Sequence, residues 1–259
     1  MQWQGYIRQL SKYYRETIVF GRQSSSYFYR DFASEFKALD IESWDTNGYM
    51  LYGFDYVKWA NDMGDKYDLL VADNKCISLR EHFIQDFIPF GCFQSQNQYD
   101  LVIHARQIPS LKGNTMKMSR NWATECWDKL CLSLSDFKIA AVGIPELTYL
   151  PPNTTDLRGE DTEKLCSIIA SSKCCIGPSS GLMHLASLCK TPHFVWTSID
   201  ATWGFGGTAY RYLRTWNPFA TPVKILVLEG YQPKPELIRN ELLKFLEEEQ
   251  SSQNIIYKL

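Results

Sequence analysis

Along the chain, apolar positions first recur at Trp3, Ile7, Leu10 and Tyr14, a helical spacing that predicts an amphipathic opening helix. Residues 17–20, Thr-Ile-Val-Phe, then predict a short buried strand, followed by Gly21 and the polar run 23–26, Gln-Ser-Ser-Ser. Phe28, Phe32 and Phe36 repeat every four residues and predict an aromatic stripe on a second helix, turned to the core. Beyond Leu39 the pattern predicts a turn at Asp45-Thr-Asn-Gly48, a helix over 56–63 and a buried strand over 68–71.

The alternation becomes regular after Tyr99. Strands are predicted at 101–104, 139–142, 174–176, 193–196 and 224–228. Between them lie helices with apolar positions Trp122, Cys126, Trp127, Leu130 and Leu134, or opening at the acidic pair Glu160-Asp161, or running through Cys189, and a last helix over 235–249. The stretch with Pro145, Pro151 and Pro152 reads as a loop. Strands alternating with helices predict an α/β fold with right-handed crossovers and a parallel sheet. The polar segment 93–100 is the expected linker, giving domains at 1–98 and 99–259. No internal repeat is visible.

Composition narrows the function classes. The 259 residues are 45% hydrophobic and 22% charged, an ordinary globular balance. A net charge of −2 supplies no field for nucleic acid, and no apolar stretch is long enough to span a bilayer. The start lacks the basic-then-apolar pattern of a signal peptide, and the eight cysteines form no C-x-x-C pair. Buried reduced thiols and a cytoplasmic protein are the expectation. The four histidines lack metal-ligand spacing, which disfavours a metal enzyme, and no cofactor is expected.

One segment carries most of the candidate chemistry: Ile176-Gly-Pro-Ser-Ser-Gly-Leu-Met-His-Leu185. A strand that ends at Gly-Pro and turns into a helix through Ser179, Ser180 and Gly181 presents backbone N–H groups and hydroxyls at the positive end of that helix, a seat for phosphate. His184 lies one turn in, within reach of a diphosphate oxygen. The same residues also read as a tight corner capped by Ser179 or Ser180, with His184 in the core. Arg106 ends the preceding strand, and 106–120 holds Arg106, Lys112, Lys117 and Arg120 with no acidic residue. Such a loop would offset charge developing on a diphosphate leaving group, or be a solvated basic surface. Trp203-Gly-Phe-Gly-Gly207 is no dinucleotide fingerprint and reads as a lid or a surface turn.

The series Asp156-Leu-Arg-Gly159, Leu165 with Ile168-Ile-Ala170, Cys175-Ile-Gly-Pro-Ser-Ser-Gly-Leu-Met-His-Leu-Ala186 and Thr191-Pro192 resembles the C-terminal half of glycosyltransferase family 9, which includes ADP-heptose:lipopolysaccharide heptosyltransferases. Ser180, Gly181 and His184 match its D-[ST]-G-x-x-H-L-A turn; Ser179 stands where the family usually has Asp. Residues 101–104 followed by Arg120-Asn-Trp122 are similar to the family's strand and basic-Trp pair, and Gly143-Ile-Pro-Glu146 falls where its next strand meets the nucleoside. The resemblance covers residues 99–250 well and the first third weakly.

It implies a GT-B-like architecture of two Rossmann-like parallel-sheet domains, the smaller N-terminal one on the acceptor side and lacking its first strand. The implied activity is metal-independent, inverting transfer of a sugar from a nucleotide-diphosphate donor to a glycan or glycolipid of lipopolysaccharide type. Donor binding falls to Arg106, Arg120, Gly143, Glu146, Ser179, Ser180, Gly181 and His184. Family members carry an acidic base in a Gly-rich loop before the first helix, whereas this chain opens at that helix, so no catalytic base is assigned. Asp31 and Asp73 are available carboxylates that read as surface or capping residues. The alternatives are a degenerate module that binds a nucleotide sugar or glycan without catalysis, and a small NAD-type or epimerase-like enzyme, which the missing fingerprint disfavours.

Overall fold

The computed structural model describes residues 4–39, 62, 86–91, 98–108, 120–199, 209–210, 212 and 216–251. The chain divides into two compact units, Trp3–Phe87 and, with Met1–Gln2, Ile88–Leu259. The expected turn at 45–48, the strand at 68–71 and all of the helix at 56–63 except Asp62, which is helical, lie outside the described residues.

In the first unit, helix α1 (Gln4–Ser11) leads to strand β1 (Ile18–Gly21), which pairs in parallel with β2 (Glu35–Ala38), Val19 opposite Phe36. The predicted apolar face is corrected here: Gln4, Gly5 and Arg8 are the buried positions of α1, and Tyr14 lies beyond its end, exposed. Arg8 is drawn inward by an ion pair with Asp31 and by the ring of Phe32, 4.8 Å from its guanidinium carbon. Burial lowers the Arg8 pKa, against the nearby charge of Asp86.

The aromatic stripe on a second helix is also corrected. Residues Gln23–Phe28 form a 3-10 helix, and Phe36 belongs to β2. The serines divert the backbone: Ser25 Oγ donates to the Arg22 carbonyl at 2.7 Å, and Ser34 Oγ accepts from the Thr17 N–H at 3.1 Å. Tyr29, Phe32 and Phe36 still meet, by ring contacts of 6.0–6.1 Å centred on Tyr29.

In the second unit a six-stranded, wholly parallel sheet is built from β3 (Tyr99–Ile103), β4 (Ile139–Gly143), β5 (Thr155–Arg158), β6 (Ser172–Pro178), β7 (His193–Ser198) and β8 (Val223–Leu228). Its order is β5-β4-β3-β6-β7-β8. Renumbered within the unit this is 3-2-1-4-5-6, the doubly wound Rossmann order, whose direction reverses between β3 and β6. The central strands are buried almost throughout, as a sheet covered on both faces requires; β5 on the edge is short, polar and largely exposed. Polarity hid β5 from the hydrophobic pattern, which reads it as loop.

Helices α2 (Thr124–Ser133) and α5 (Pro235–Ser251) pack together, as do α3 (Thr162–Ala170) and α4 (Gly181–Leu188). Asp161 caps α3, its carboxylate accepting the Lys164 N–H at 2.8 Å, where the acidic pair predicts a helix start. Between the sheet and the α2–α5 pair lies a core of Leu101, Ile103, Trp127, Leu130, Ile176, Phe194, Ile238 and Leu242. At its centre the fully buried rings of Trp122, Trp127 and Trp196 meet edge-on or tilted, with centroids 4.9–5.5 Å apart. Trp122 Nε1 donates to the Pro233 carbonyl at 2.9 Å. Among the described residues no helix is long and apolar enough to cross a membrane.

Candidate functional site

Ligands of doubly wound sheets bind beyond the carboxyl ends of the strands, where the strand order reverses. Here that place is defined by the ends of β3 and β6. His104, Ala105 and Arg106 follow β3; Ser179 and Ser180 follow β6 and lead into α4. The two ends are tied together. His104 donates its N–H to the Ile176 carbonyl at 3.0 Å, and its ring Nδ1 lies 3.0 Å from Ser180 Oγ.

Ser179 is held through both backbone groups. Its N–H donates to the Trp196 carbonyl at 2.9 Å, and its carbonyl accepts from Arg120 Nη1 at 3.1 Å. Arg120 therefore stands against the corner that the motif marks, although 59 positions separate the two residues. Arg106 is 1% exposed, and its Nη1 donates to Asn121 Oδ1 at 2.5 Å. Asn121 also closes the basic loop at its base: Oδ1 accepts the Ile108 N–H at 3.1 Å, and Nδ2 donates to the Ile108 carbonyl at 2.7 Å. Lys112 and Lys117, and the Gly-rich segment 203–207, lie outside the described residues.

Beside β3, β4 ends at Gly143 with φ of +130°, a conformation open to glycine. A Cβ there would collide with Thr148 Oγ1 and lie 3.1 Å from His104 Cδ2. The chain then forms a 3-10 turn, Pro145–Leu147, on which Glu146 is exposed. This turn is fastened from two sides. Residues 105–107 pair with 147–149 through an antiparallel bridge, and Arg158 Nη1 donates to the Thr148 carbonyl at 2.8 Å. Arg158 is in turn gripped by Asp156, Nε to Oδ1 at 2.8 Å and Nη2 to Oδ2 at 2.9 Å. That contact lowers the Asp156 pKa and raises that of Arg158.

The electrostatics of the corner are cationic. Burial, then the charges of Arg106 and Arg120, push the His104 imidazole down to about 3, so it is neutral at physiological pH. Ser180 occupies the N-cap position of α4, yet its side chain caps none of the first-turn N–H groups. Gly181, the first helical residue, is exposed. A helix N-terminus and Arg120 thus meet at two buried hydroxyl-bearing residues, with the charge of Arg106 felt at His104 beside them, an arrangement suited to an anion.

Of the sequence-predicted residues, the structure gathers Arg106, Arg120, Gly143, Ser179, Ser180 and Gly181 around the β3 and β6 ends. Glu146 stands on the neighbouring turn, within electrostatic reach of Arg158. His184 is 9% exposed; its ring lies on Trp216, 3.8 Å between centroids, with Tyr212 edge-on at 5.4 Å. Sequence reasoning missed His104, Asn121, Thr148 and Arg158. A histidine closing a predicted strand, with an arginine two positions on, was the signal available for the first. Asp31, half-exposed, is occupied by Arg8, and Asp73 lies outside the described residues.

No protein-family model and no curated protein sequence matches the chain. Among solved structures it is similar to the glycosyl transferase family 9 protein from Veillonella parvula DSM 2008, with 12% identity, 95% of this chain and 78% of that chain covered, and a TM-score of 0.41. It is also similar to the E. coli ADP-heptose lps heptosyltransferase II, with 14% identity, 95% and 80% covered, and a TM-score of 0.42. A third is the E. coli heptosyltransferase WaaC with ADP, with 15% identity, 95% and 76% covered, and a TM-score of 0.40. The names of all three are those of glycosyltransferases.

Proposed function

We propose that the protein is a cytoplasmic glycosyltransferase of GT-B type that takes its sugar from a nucleotide-diphosphate donor and passes it, with inversion, to a glycan or lipopolysaccharide-type acceptor. The observation that carries this reading is the Arg120–Ser179 contact beside the His104–Ser180 pair, at the point where the strand order of a Rossmann-type sheet reverses. In the proposed complex the diphosphate lies over Ser179, Ser180 and Gly181 at the N-terminus of α4, with His184 behind them. Gly143 and the turn that follows it border the nucleoside, and Glu146 accepts from its ribose or base. The domain over 1–98 takes the acceptor.

Transfer breaks the bond between the anomeric carbon and the donor's diphosphate oxygen, and that oxygen gains negative charge as the bond lengthens. Arg106, Arg120 and the helix N-terminus are fixed before reaction and meet that charge without reorganisation, the work that a divalent cation does elsewhere. The acceptor oxygen attacks the opposite face of the anomeric carbon, which inverts it, and the hydroxyl proton passes to water, no side chain being assigned as base.

The test is a transfer and binding assay on the full chain against a panel of nucleotide sugars. One donor is expected to bind and to be turned over, and Arg120→Ala is expected to weaken donor binding or turnover about tenfold or more while the fold persists, the scale of a hydrogen bond to a charged group. A wild-type protein that binds no nucleotide sugar, or an Arg120→Ala protein with unchanged kinetics, contradicts the proposal. Binding without transfer or hydrolysis favours a nucleotide-sugar-binding module over an enzyme.

A further inference from the structure

Ser180 sits where a serine hydroxyl ordinarily accepts a first-turn N–H of its own helix, and its extended backbone (φ −154°, ψ 169°) suits that role. The hydroxyl instead pairs with His104 Nδ1 at 3.0 Å, and both residues are buried, at 2% and 7% exposure. The ring has its place because the flanking strand β4 ends in glycine. A Cβ on Gly143 would lie 3.1 Å from His104 Cδ2, and one on Gly177, next to the end of β6, would press on the His104 carbonyl oxygen at 3.3 Å. Two glycines, a histidine and a diverted serine thus form one unit across β4, β3 and β6.

Building on the nucleotide-sugar reading above, we propose that His104 is a positioning residue for the diphosphate: its Nδ1–H donates to Ser180 Oγ, turns that hydroxyl away from its own helix, and aims the hydroxyl proton at a phosphoryl oxygen. A serine hydroxyl has one proton. If it donated to His104, only lone pairs would face the anion, and they would repel it. Binding of an anion therefore selects the tautomer with the proton on Nδ1. The imidazole stays neutral between Arg106 and Arg120, so it carries a single N–H to commit. The first-turn N–H groups of α4, released from side-chain capping, serve the same oxygens.

The test is calorimetry of the full chain with ADP, GDP, UDP, CDP and inorganic pyrophosphate, on wild type, His104→Leu, His104→Asn, Ser180→Ala and the His104→Leu/Ser180→Ala double variant. For the probe that wild type binds tightest, His104→Leu and Ser180→Ala are each expected to weaken binding about tenfold, with the double variant no weaker than either, since both remove one relay. Asn places an amide N–H near the site of Nδ1–H, so His104→Asn is expected to recover most of the affinity, which a merely structural histidine would not require. Nitrogen-15 spectra of histidine-labelled wild type bound to the same probe are expected to show Nδ1 of His104 protonated, a readout that needs no variant to fold. Additive losses, unchanged affinity in His104→Leu, or an unprotonated Nδ1 in the bound state overturn the positioning role while leaving the nucleotide reading intact. A wild-type protein that binds none of the five probes overturns both.

Discussion

Burial holds the His104 and His193 imidazoles well below the ordinary histidine range, at about 3 and about 4. Arg106 and Arg120 add to the effect at His104; at His193 the Thr191 carbonyl, 2.9 Å from Nδ1, opposes it. In the unfolded chain both groups return to about 6.5. Between that pH and 3–4 the unfolded state binds more protons than the native one, so stability rises with pH there. The contribution is complete above about pH 6.5 and is lost as pH falls through the folded pKa values. Denaturant midpoints taken from pH 7.5 down to pH 5 are expected to fall, at about 1.4 kcal/mol per pH unit for each histidine at most. His104→Asn and His193→Asn should each flatten the slope. A midpoint independent of pH across that window would show that these rings already bind protons in the folded protein.

Residue identity alone marks His104 poorly. Its importance comes from Ser180, which lies 76 positions away and meets it only through the sheet. Ser179, Ser180 and Gly181 were legible because a strand, a Gly-Pro stop and a helix start are encoded in adjacent residues. The aromatic partners of His184 were not, because Tyr212 and Trp216 reach it from a separate segment.

At the scale of elements, the strands of the second unit were readable because burial on both faces demands continuous apolar runs, and Ile139–Gly143 and His193–Ser198 supply them. The failures share a cause. Phe28, Phe32 and Phe36 have helical spacing, yet serine hydroxyls bonded to nearby backbone lead the chain through a 3-10 turn into a strand. Strand β5 carries Asp156 and Arg158, which grip each other instead of displaying an apolar period.

Two predictions belong to this scale. Asp161→Ala removes the cap of α3 and is expected to cost about 1 kcal/mol in denaturant unfolding; no change would show that the acidic start of α3 acts by some other means. Gly143→Ala forces a side chain into a positive-φ position against Thr148 and His104, and is expected to cost about 2 kcal/mol or more. A fully stable Gly143→Ala protein would mean that the end of β4 does not adopt the conformation described here.

For the whole molecule, the alternation of strands and helices from Tyr99 onward was enough to anticipate a parallel α/β sheet. The order β5-β4-β3-β6-β7-β8 was not, since strand order depends on which side each crossover takes. That order is what converts two distant motifs into one site: it sets β3 beside β6, and so brings the basic residue before Trp122 onto the serine corner. A chain with net charge −2 has no long-range attraction for polyanions, so the anion recognition proposed above would be local to this corner. Duplex DNA at physiological salt is accordingly expected to leave the protein's electrophoretic mobility unchanged, whereas retardation would reveal a basic surface elsewhere.

The central claim is that the ends of β3 and β6 grip the phosphates of a nucleotide. The most direct measurement is a crystal structure of the full chain grown with whichever nucleoside diphosphate it binds. The account predicts phosphoryl oxygens within hydrogen-bond reach of Ser180 Oγ, the N–H groups at the start of α4 and the Arg120 guanidinium. A nucleotide seated elsewhere on the sheet, with that corner closed and Arg120 turned away from the phosphates, would contradict it.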